Sequence, residues 1–367
     1  MNENNQSKLF LEPLDTSQPG GSAVRPSADL AALAAVRSAD DAKSGVESAA
    51  ERDPLLTSPR KSSVVLCLVF AVLLALAAAG VWALSVNTVI GQQYDNMAYA
   101  NCAEYLPGPI GAAAAFLARS VAVGSFSVSY LAFADVLLAV VALVVVIVRR
   151  RWWLLGTLVV CDALAFAVVE VLKHVLPRTT LDMSSLADQG NTAPSGHAAV
   201  AMIVAVSLLL VVPRVWRAVV AVIVWLYALV GGLSVVVGGW HRPSDALMSY
   251  LLVGAFACLM LAVTRRSAMD DPGTRVSSTS IQIVGTIMIT AGIIGVGYGS
   301  YVIWQLIPGL EYNAKWAASS SVVSALIVLA ATGLLLFGVL LAMRHITAAP
   351  LSKMGLVGAP PTPPSRR

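Results

Sequence analysis

Residues 194–212 read PSGHAAVAMIVAVSLLLVV, and residues 234–252 read SVVVGGWHRPSDALMSYLL. Each stretch sets a histidine at the mouth of an apolar run. In the second, Pro243 fits the first position of a helix, where its missing N–H costs nothing. That places His241 just outside the helix and Asp245 in its first turn, with the carboxylate able to reach back. In the first, Gly196 and His197 open a helix whose free N–H groups and dipole favour an anion. Three of the chain's four histidines, His174, His197 and His241, fall in this region, and Lys173 and Arg178 lie just upstream.

Working outward, the chain is built of apolar runs. Of its 367 residues 57% are hydrophobic and 12% charged, against about 25% charged in a soluble domain. Mean hydropathy is +0.78. A run of about 20 apolar residues spans a bilayer as a helix. Eight such runs are legible: 64–86, 126–148, 152–172, 198–212, 218–237, 246–264, 281–306 and 322–343. The fourth is short and has room to begin before His197.

The fold class expected is therefore an all-α integral membrane protein, with six helices over 61–266 followed by two more over 281–343. Residues 1–60, rich in Ser, Ala, Asp, Glu and Pro, read as a disordered tail that cannot bury enough apolar surface to fold alone, with an Ala-rich helical tendency over Ala28–Ala50. Residues 267–280 read as a polar linker, and 344–367 as a second tail, Pro-rich from Ala348. Asn87–Ser125 reads as a long loop whose part Ile110–Val123 is apolar and suited to a packed surface helix. Gly295 and Gly299 have the small-xxx-small spacing of close helix packing.

Basic residues set the orientation. Arg60, Lys61, Arg149, Arg150, Arg151, Arg214, Arg217, Arg265, Arg266 and Arg344 flank one side of the spans; Arg119, Lys173, Arg178, Arg242 and Lys315 flank the other. The richer side is expected in the cytoplasm. Both termini then lie inside, and the histidines face outward on a multi-pass protein of the cell membrane. The net charge of +4 mostly restates the cytoplasmic arginines and argues for no nucleic-acid partner. Cys67, Cys161 and Cys258 fall inside helices and Cys102 in the outside loop, so no disulfide framework is expected.

Histidines, a carboxylate, a serine and cations at one membrane face suit phosphoryl transfer. Fixed cations and N–H donors hold the developing charge. A histidine steadied by a carboxylate serves as nucleophile, and a second histidine serves as acid.

These motifs resemble the type 2 phosphatidic acid phosphatase superfamily, membrane lipid phosphatases related to vanadium haloperoxidases. The family pattern is Lys-x6-Arg-Pro, Pro-Ser-Gly-His and Ser-Arg-x5-His-x3-Asp. The second part is complete at Pro194–His197; in the third, Ser234, His241 and Asp245 hold their spacing. The resemblance implies that His241 is the nucleophile, forming a phosphohistidine, that Asp245 orients it and that His197 protonates the leaving group. It further implies that Lys173, Ser195 and Gly196 hold the phosphate, with no metal or other cofactor. The chain departs from the pattern where the family arginines fall, on Thr180 and Val235, and where the proline falls, on Leu181. Arg178 and Arg242 are the expected substitutes in phosphate binding.

The function so implied is a phosphatase for a lipid phosphate or diphosphate, such as polyprenyl diphosphate or phosphatidic acid, with the bilayer itself as the other partner. Two rivals stay open at this level: a non-catalytic scaffold that binds lipid phosphate, and a transporter, suggested by the intramembrane Asp135 and Asp162. Asp162 lies roughly 15 Å below the outer helix end, too deep for the phosphate, and Asp135 is expected to share a polar cluster with it. Glu170 and Lys173, three residues apart, have the spacing of a helix ion pair.

Overall fold

A computed structural model describes residues 61–181, 191–263 and 279–348. The tail 1–60 with its Ala-rich stretch, most of the linker 267–280 and the segment 349–367 lie outside the described residues. Ten α-helices follow in order among the described residues: α1 Lys61–Val81, continued by a π-turn Trp82–Val86, α2 Val89–Tyr105, α3 Gly108–Ala118, α4 Tyr130–Val148, α5 Trp152–Val175, α6 Gly196–Val211, α7 Arg214–Val237, α8 Pro243–Ala262, α9 Thr279–Glu311 and α10 Lys315–Ala348. Between α3 and α4 stands a short antiparallel hairpin, β1 Ser120–Val123 with β2 Phe126–Ser129. The protein is all-α and of membrane type. Seven of its helices, α1, α4, α5 and α7 to α10, are long and apolar enough to cross a membrane.

The fourth run, α6, has only 16 residues. It packs against α4, α5, α7 and α8, and of its side chains only His197 is exposed. A helix walled by other helices rather than lipid reads as an unbroken apolar run, which is what its sequence shows. Its C-terminal carbonyls, which no helix can satisfy internally, are met by arginines: Arg149 donates to the Val211 oxygen at 2.7 Å and Arg217 to the Val212 oxygen at 3.2 Å. One end of α6 therefore carries the histidine and the other is capped by the cation-rich loops.

The segment 87–125 is not the loop expected from its composition. It folds into α2, α3 and β1, and the second span begins at Tyr130 rather than 126. The apolar stretch is a helix only to Ala118, where Ala114 is fully buried; it packs against α7. α2 is a two-sided amphipathic helix, so its mean hydropathy hides both of its buried faces. One face joins the core; the other places Tyr94 with Leu306, Leu310 and Ala317 in a separate apolar cluster.

α9 and α10 pack through a glycine seam. A Cβ at Gly292 would lie 2.7 Å from the Leu335 nitrogen, at Gly295 2.6 Å from the Ala331 Cβ and at Gly299 2.6 Å from the Val328 Cγ2. The small residues thus let the backbones approach. α10 runs on to Ala348, past the expected end at 343.

Candidate active site

The two motifs meet because α6 and α8 start at the same end of the bundle. Ser195 donates its N–H to the Asp245 carbonyl at 3.1 Å. The Ser249 hydroxyl, one turn into α8, lies 2.8 Å from the Ser195 oxygen and 2.9 Å from the Asp245 oxygen and shares its proton between them. Ser195 is fully buried as the N-cap of α6, its hydroxyl accepting from the Ala198 N–H at 3.3 Å.

His241 is buried, and its Nδ1 lies 3.0 Å from the Thr192 carbonyl oxygen. A carbonyl only accepts, so Nδ1 is the donor in this bond. The Asp245 Oδ2 stands 3.5 Å from the same Nδ1. That oxygen also accepts from the Thr192 hydroxyl at 2.6 Å and from the Arg242 N–H at 3.0 Å. The His197 ring faces His241 at a centroid distance of 6.4 Å and leans on Trp240 at 5.2 Å. Beside His197 opens a cavity of about 300 Å³, lined among others by Asp135, Phe166, Glu170, Lys173 and Gly196.

Of the eight expected site residues, then, Lys173, Gly196 and His197 share this cavity. His241 adjoins His197, Asp245 adjoins His241, and Ser195 is buried as the N-cap of α6. Arg178 is half-buried in the segment that follows α5. Arg242 departs from expectation. It is buried at 2% exposure, its Nε on the Asn96 oxygen at 2.9 Å and its Nη1 on the Thr192 hydroxyl at 3.1 Å. A guanidinium held by two oxygens behind the histidine is a brace for the site's own backbone.

Three further expectations are corrected. Glu170 forms no ion pair with Lys173 within 4.0 Å among the described residues; its carboxylate lies against Gly196 instead. Asp135 and Asp162 do not share a cluster. Tyr227 donates to Asp135, which lines the histidine cavity, whereas Ser207 donates to Asp162 at 2.7 Å in a separate pocket. Cys102, expected in a loop, lies in α2 and is buried, and burial pushes its thiol up to about 11; all four cysteines are free.

Where the family pattern has an arginine, Val235 is wholly buried in α7. Its carbonyl accepts from the N–H groups of Trp240 at 3.0 Å and His241 at 3.1 Å. The turn between them needs Gly239, whose φ of +71° few side chains tolerate. Thr180 is exposed, and the Leu181 N–H is held by the Gln92 Oε1 at 3.0 Å.

The residues that hold all this in place escaped sequence reading. Thr192 is the hub, joining His241, Arg242 and Asp245 through its two oxygens. Asn191 donates to the Lys173, Leu176 and Ala193 carbonyls at 3.0, 3.1 and 2.9 Å, tying the end of α5 to the segment before α6. From α2, Gln92 reaches the Thr179 carbonyl at 2.7 Å and Tyr99 the Gly239 carbonyl at 2.6 Å. Asp95 accepts from the Ser244 N–H at 3.2 Å and from its hydroxyl. Burial, with the charge of Asp245 added, pushes the Asp95 carboxyl up to about 7, although the Ser244 bonds and Arg242 pull the other way. The available signal was spacing: Gln92, Asp95, Asn96 and Tyr99 stand at i, i+3, i+4 and i+7, one face of a helix. Among the described residues no three His, Cys, Asp or Glu side chains gather as a resident metal would need.

Residues 152–269 match the family model of the PAP2 superfamily. The match takes in α5 to α8, and with them every site residue expected from the sequence. No curated protein and no solved structure matches the chain.

Proposed function

We propose, on the premise that residues 152–269 belong to the PAP2 superfamily, that the protein is a membrane lipid phosphate or diphosphate phosphatase working through a phosphohistidine. The observation that carries the reading is the anchoring of His241. Its Nδ1 is held by the Thr192 carbonyl at 3.0 Å, which leaves Nε2 as the ring nitrogen for phosphorus, and the His197 and His241 ring centroids lie 6.4 Å apart.

In this mechanism the His241 Nε2 attacks phosphorus and forms the P–N bond as the P–O bond to the lipid alcohol breaks. His197 gives its proton to the leaving oxygen. Asp245, 3.5 Å from Nδ1, stabilises the imidazolium that forms. His197 then takes a proton from water, which attacks phosphorus and frees His241 and inorganic phosphate. Lys173, Arg178, the Ser195 hydroxyl and the N–H groups opening α6 at Gly196 hold the phosphate oxygens. Arg242 serves that cradle indirectly, by fixing Thr192.

The site end of the bundle carries few cations and the opposite end many, which supports an active site on the outer face and cytoplasmic termini. A site at headgroup depth favours amphiphiles, and polyprenyl diphosphate and phosphatidic acid both satisfy it. The test is phosphate release from a panel of lipid phosphates by purified protein in detergent, with and without chelator. The expected result is turnover of at least one ester, unchanged by chelator.

One observation favours a second reading, a lipid-phosphate-binding scaffold. The wholly buried Val235 replaces a family arginine and Arg242 is committed elsewhere, so the cradle has fewer cations than the family pattern provides. Binding of the same lipids without turnover of any would decide for the scaffold.

A further inference from the structure

α2 lies outside the stretch that matches the family, yet it bonds the segment after α5, the turn before His241 and the start of α8. On one face Gln92 holds the segment after α5, and Tyr99 holds the turn before His241. Asn96 holds the Arg242 guanidinium, and Asp95 holds the Ser244 N–H and hydroxyl at the start of α8. On the other face Tyr94 bonds Ser324 at 3.0 Å and packs with Leu306, Leu310 and Ala317 of α9 and α10. The helix is thus clamped between the C-terminal pair and the motifs.

The geometry points to a positioning role for α2: Asp95, backed by Asn96, sets the placement and charge of the His241–Asp245 pair, and the C-terminal helix pair serves the reaction by holding α2 against it. The role rests on the phosphohistidine reading for its chemical meaning, and on the hydrogen bonds alone for its geometry.

The path is short. Asp95 fixes Ser244, which lies between Arg242 and Asp245 in sequence; Asn96 fixes Arg242 itself. Arg242 in turn donates its backbone N–H to Asp245 and a side-chain N–H to Thr192. Thr192 holds the His241 ring through its carbonyl. A shift of the Asp95 carboxylate therefore reaches the nucleophile through two routes that share Arg242. The ionisable groups that interact with Asp95 are Asp245, Arg242 and Tyr94. Its negative charge offsets Arg242 and opposes that of Asp245. Losing the carboxylate frees Ser244 at the start of α8 and removes one fixed point under the Asp245–His241 pair.

Two readouts on the full-length protein test this. The first is turnover of whichever lipid phosphate the wild type accepts. Asp95→Asn is expected to lower kcat about tenfold, the weight of a hydrogen bond to a charged group, with KM changed less than about twofold. Asp95→Glu should restore part of the loss. Tyr94→Ala, which loosens α2 from α10 without touching the motifs, should lower kcat in the same sense by a smaller factor. The second readout needs no turnover: the time profile of His241 carbethoxylation by diethyl pyrocarbonate at fixed pH, read by peptide mass spectrometry, which follows how the ring is held. Asp95→Asn should change its rate about threefold or more.

A wild type inert towards every ester would overturn the phosphatase reading, and the carbethoxylation profile would still report the positioning. An Asp95→Asn protein that is monodisperse, matches the wild-type His241 profile and keeps kcat within twofold would overturn the positioning role. A kcat loss that Asp95→Glu does not relieve, with an unmoved profile, would reduce Asp95 to a structural cap.

Discussion

The wall of the site built by α5 to α8 and the wall built by α2 both carry polar groups but differ in what those groups face. The motif wall turns Lys173, His197 and the first turn of α6 towards an open cavity. The α2 wall turns Gln92, Asp95, Asn96 and Tyr99 towards the protein, and each meets a backbone or side-chain group of the motif wall. One wall presents reacting groups; the other spends its polarity on fixing them. Since catalytic groups work only when their neighbours lock them in place, damage to the first wall should remove chemistry outright, whereas damage to the second should degrade it by degrees.

The steepest losses belong to the motif wall. On the proposed mechanism, His241→Ala removes the attacking Nε2 and His197→Ala removes the proton source. Each should lower turnover by about 10³-fold or more, because groups acting as one unit fail together. The double variant should then be little worse than either alone, which steady-state kinetics on the three proteins will show. Full additivity would mean that the two histidines do not act in one step.

Thr192→Val sharpens the boundary between the walls, because Thr192 touches the nucleophile without being part of any motif. The substitution keeps the backbone carbonyl that binds Nδ1 but deletes the hydroxyl shared by Asp245 and Arg242. It leaves a buried carboxylate and a buried guanidinium each short of one partner, at a cost of about 1–3 kcal/mol. Turnover is expected to fall roughly 10- to 100-fold, with chemistry rather than substrate affinity affected. A rate equal to wild type would show that Asp245 is oriented by its other bonds alone.

This difference between the walls also explains what sequence reading found. His241 and Asp245 carry a fixed spacing because both belong to the mouth of one helix, and spacing survives in the linear text. The long apolar runs did too, since lipid on one side leaves a simple composition. α2 did not, because a helix buried on two polar-tolerant faces has neither the hydropathy of a span nor that of a loop. Its stripe at Gln92, Asp95, Asn96 and Tyr99 acquires meaning only when α8 supplies Ser244 and Arg242. The contacts of Arg242 were hidden for a related reason. An arginine beside His241 suggests a phosphate contact, but the Asn96 and Thr192 oxygens that it also meets come from two distant segments. Val235 shows the reverse: its identity announced a missing cation, while its carbonyl, which any residue would supply, is what holds the His241 N–H.

A gentler test of the α2 wall uses stability. The Asp95 carboxyl is raised to about 7 in the folded protein, against about 3.9 for an aspartate in an unfolded chain. Between those values the folded state binds the extra proton. Stability therefore falls as pH rises from about 4 towards 7, and the whole penalty is present above 7. Asp95→Asn carries no such penalty. Its melting temperature relative to wild type should accordingly be lowest near pH 5, where it has lost hydrogen bonds for no electrostatic return, and should improve towards pH 8. Differential scanning fluorimetry across that range will test it; parallel curves would mean that Asp95 is already ionised throughout.

The smallest effect on turnover belongs to the far end of α6, where Arg149 donates to the Val211 carbonyl at 2.7 Å. A cation on the last carbonyls of a helix satisfies acceptors that the helix leaves open and complements its dipole, worth about 0.3–1 kcal/mol at a partly exposed site. Arg149→Ala should lower stability by about that amount. Yet α6 is a rigid element packed on four helices, and its first turn is fixed independently by the Ser195–Asp245 and Ser249 bonds. The histidine end should not register the loss of a cap a helix length away. Turnover within twofold of wild type, together with a melting temperature lower by a few degrees, is the expected pair of results. A large fall in kcat without a comparable loss of stability would mean that α6 transmits strain along its length, and that the site depends on its distant cap as well as on the two walls around it.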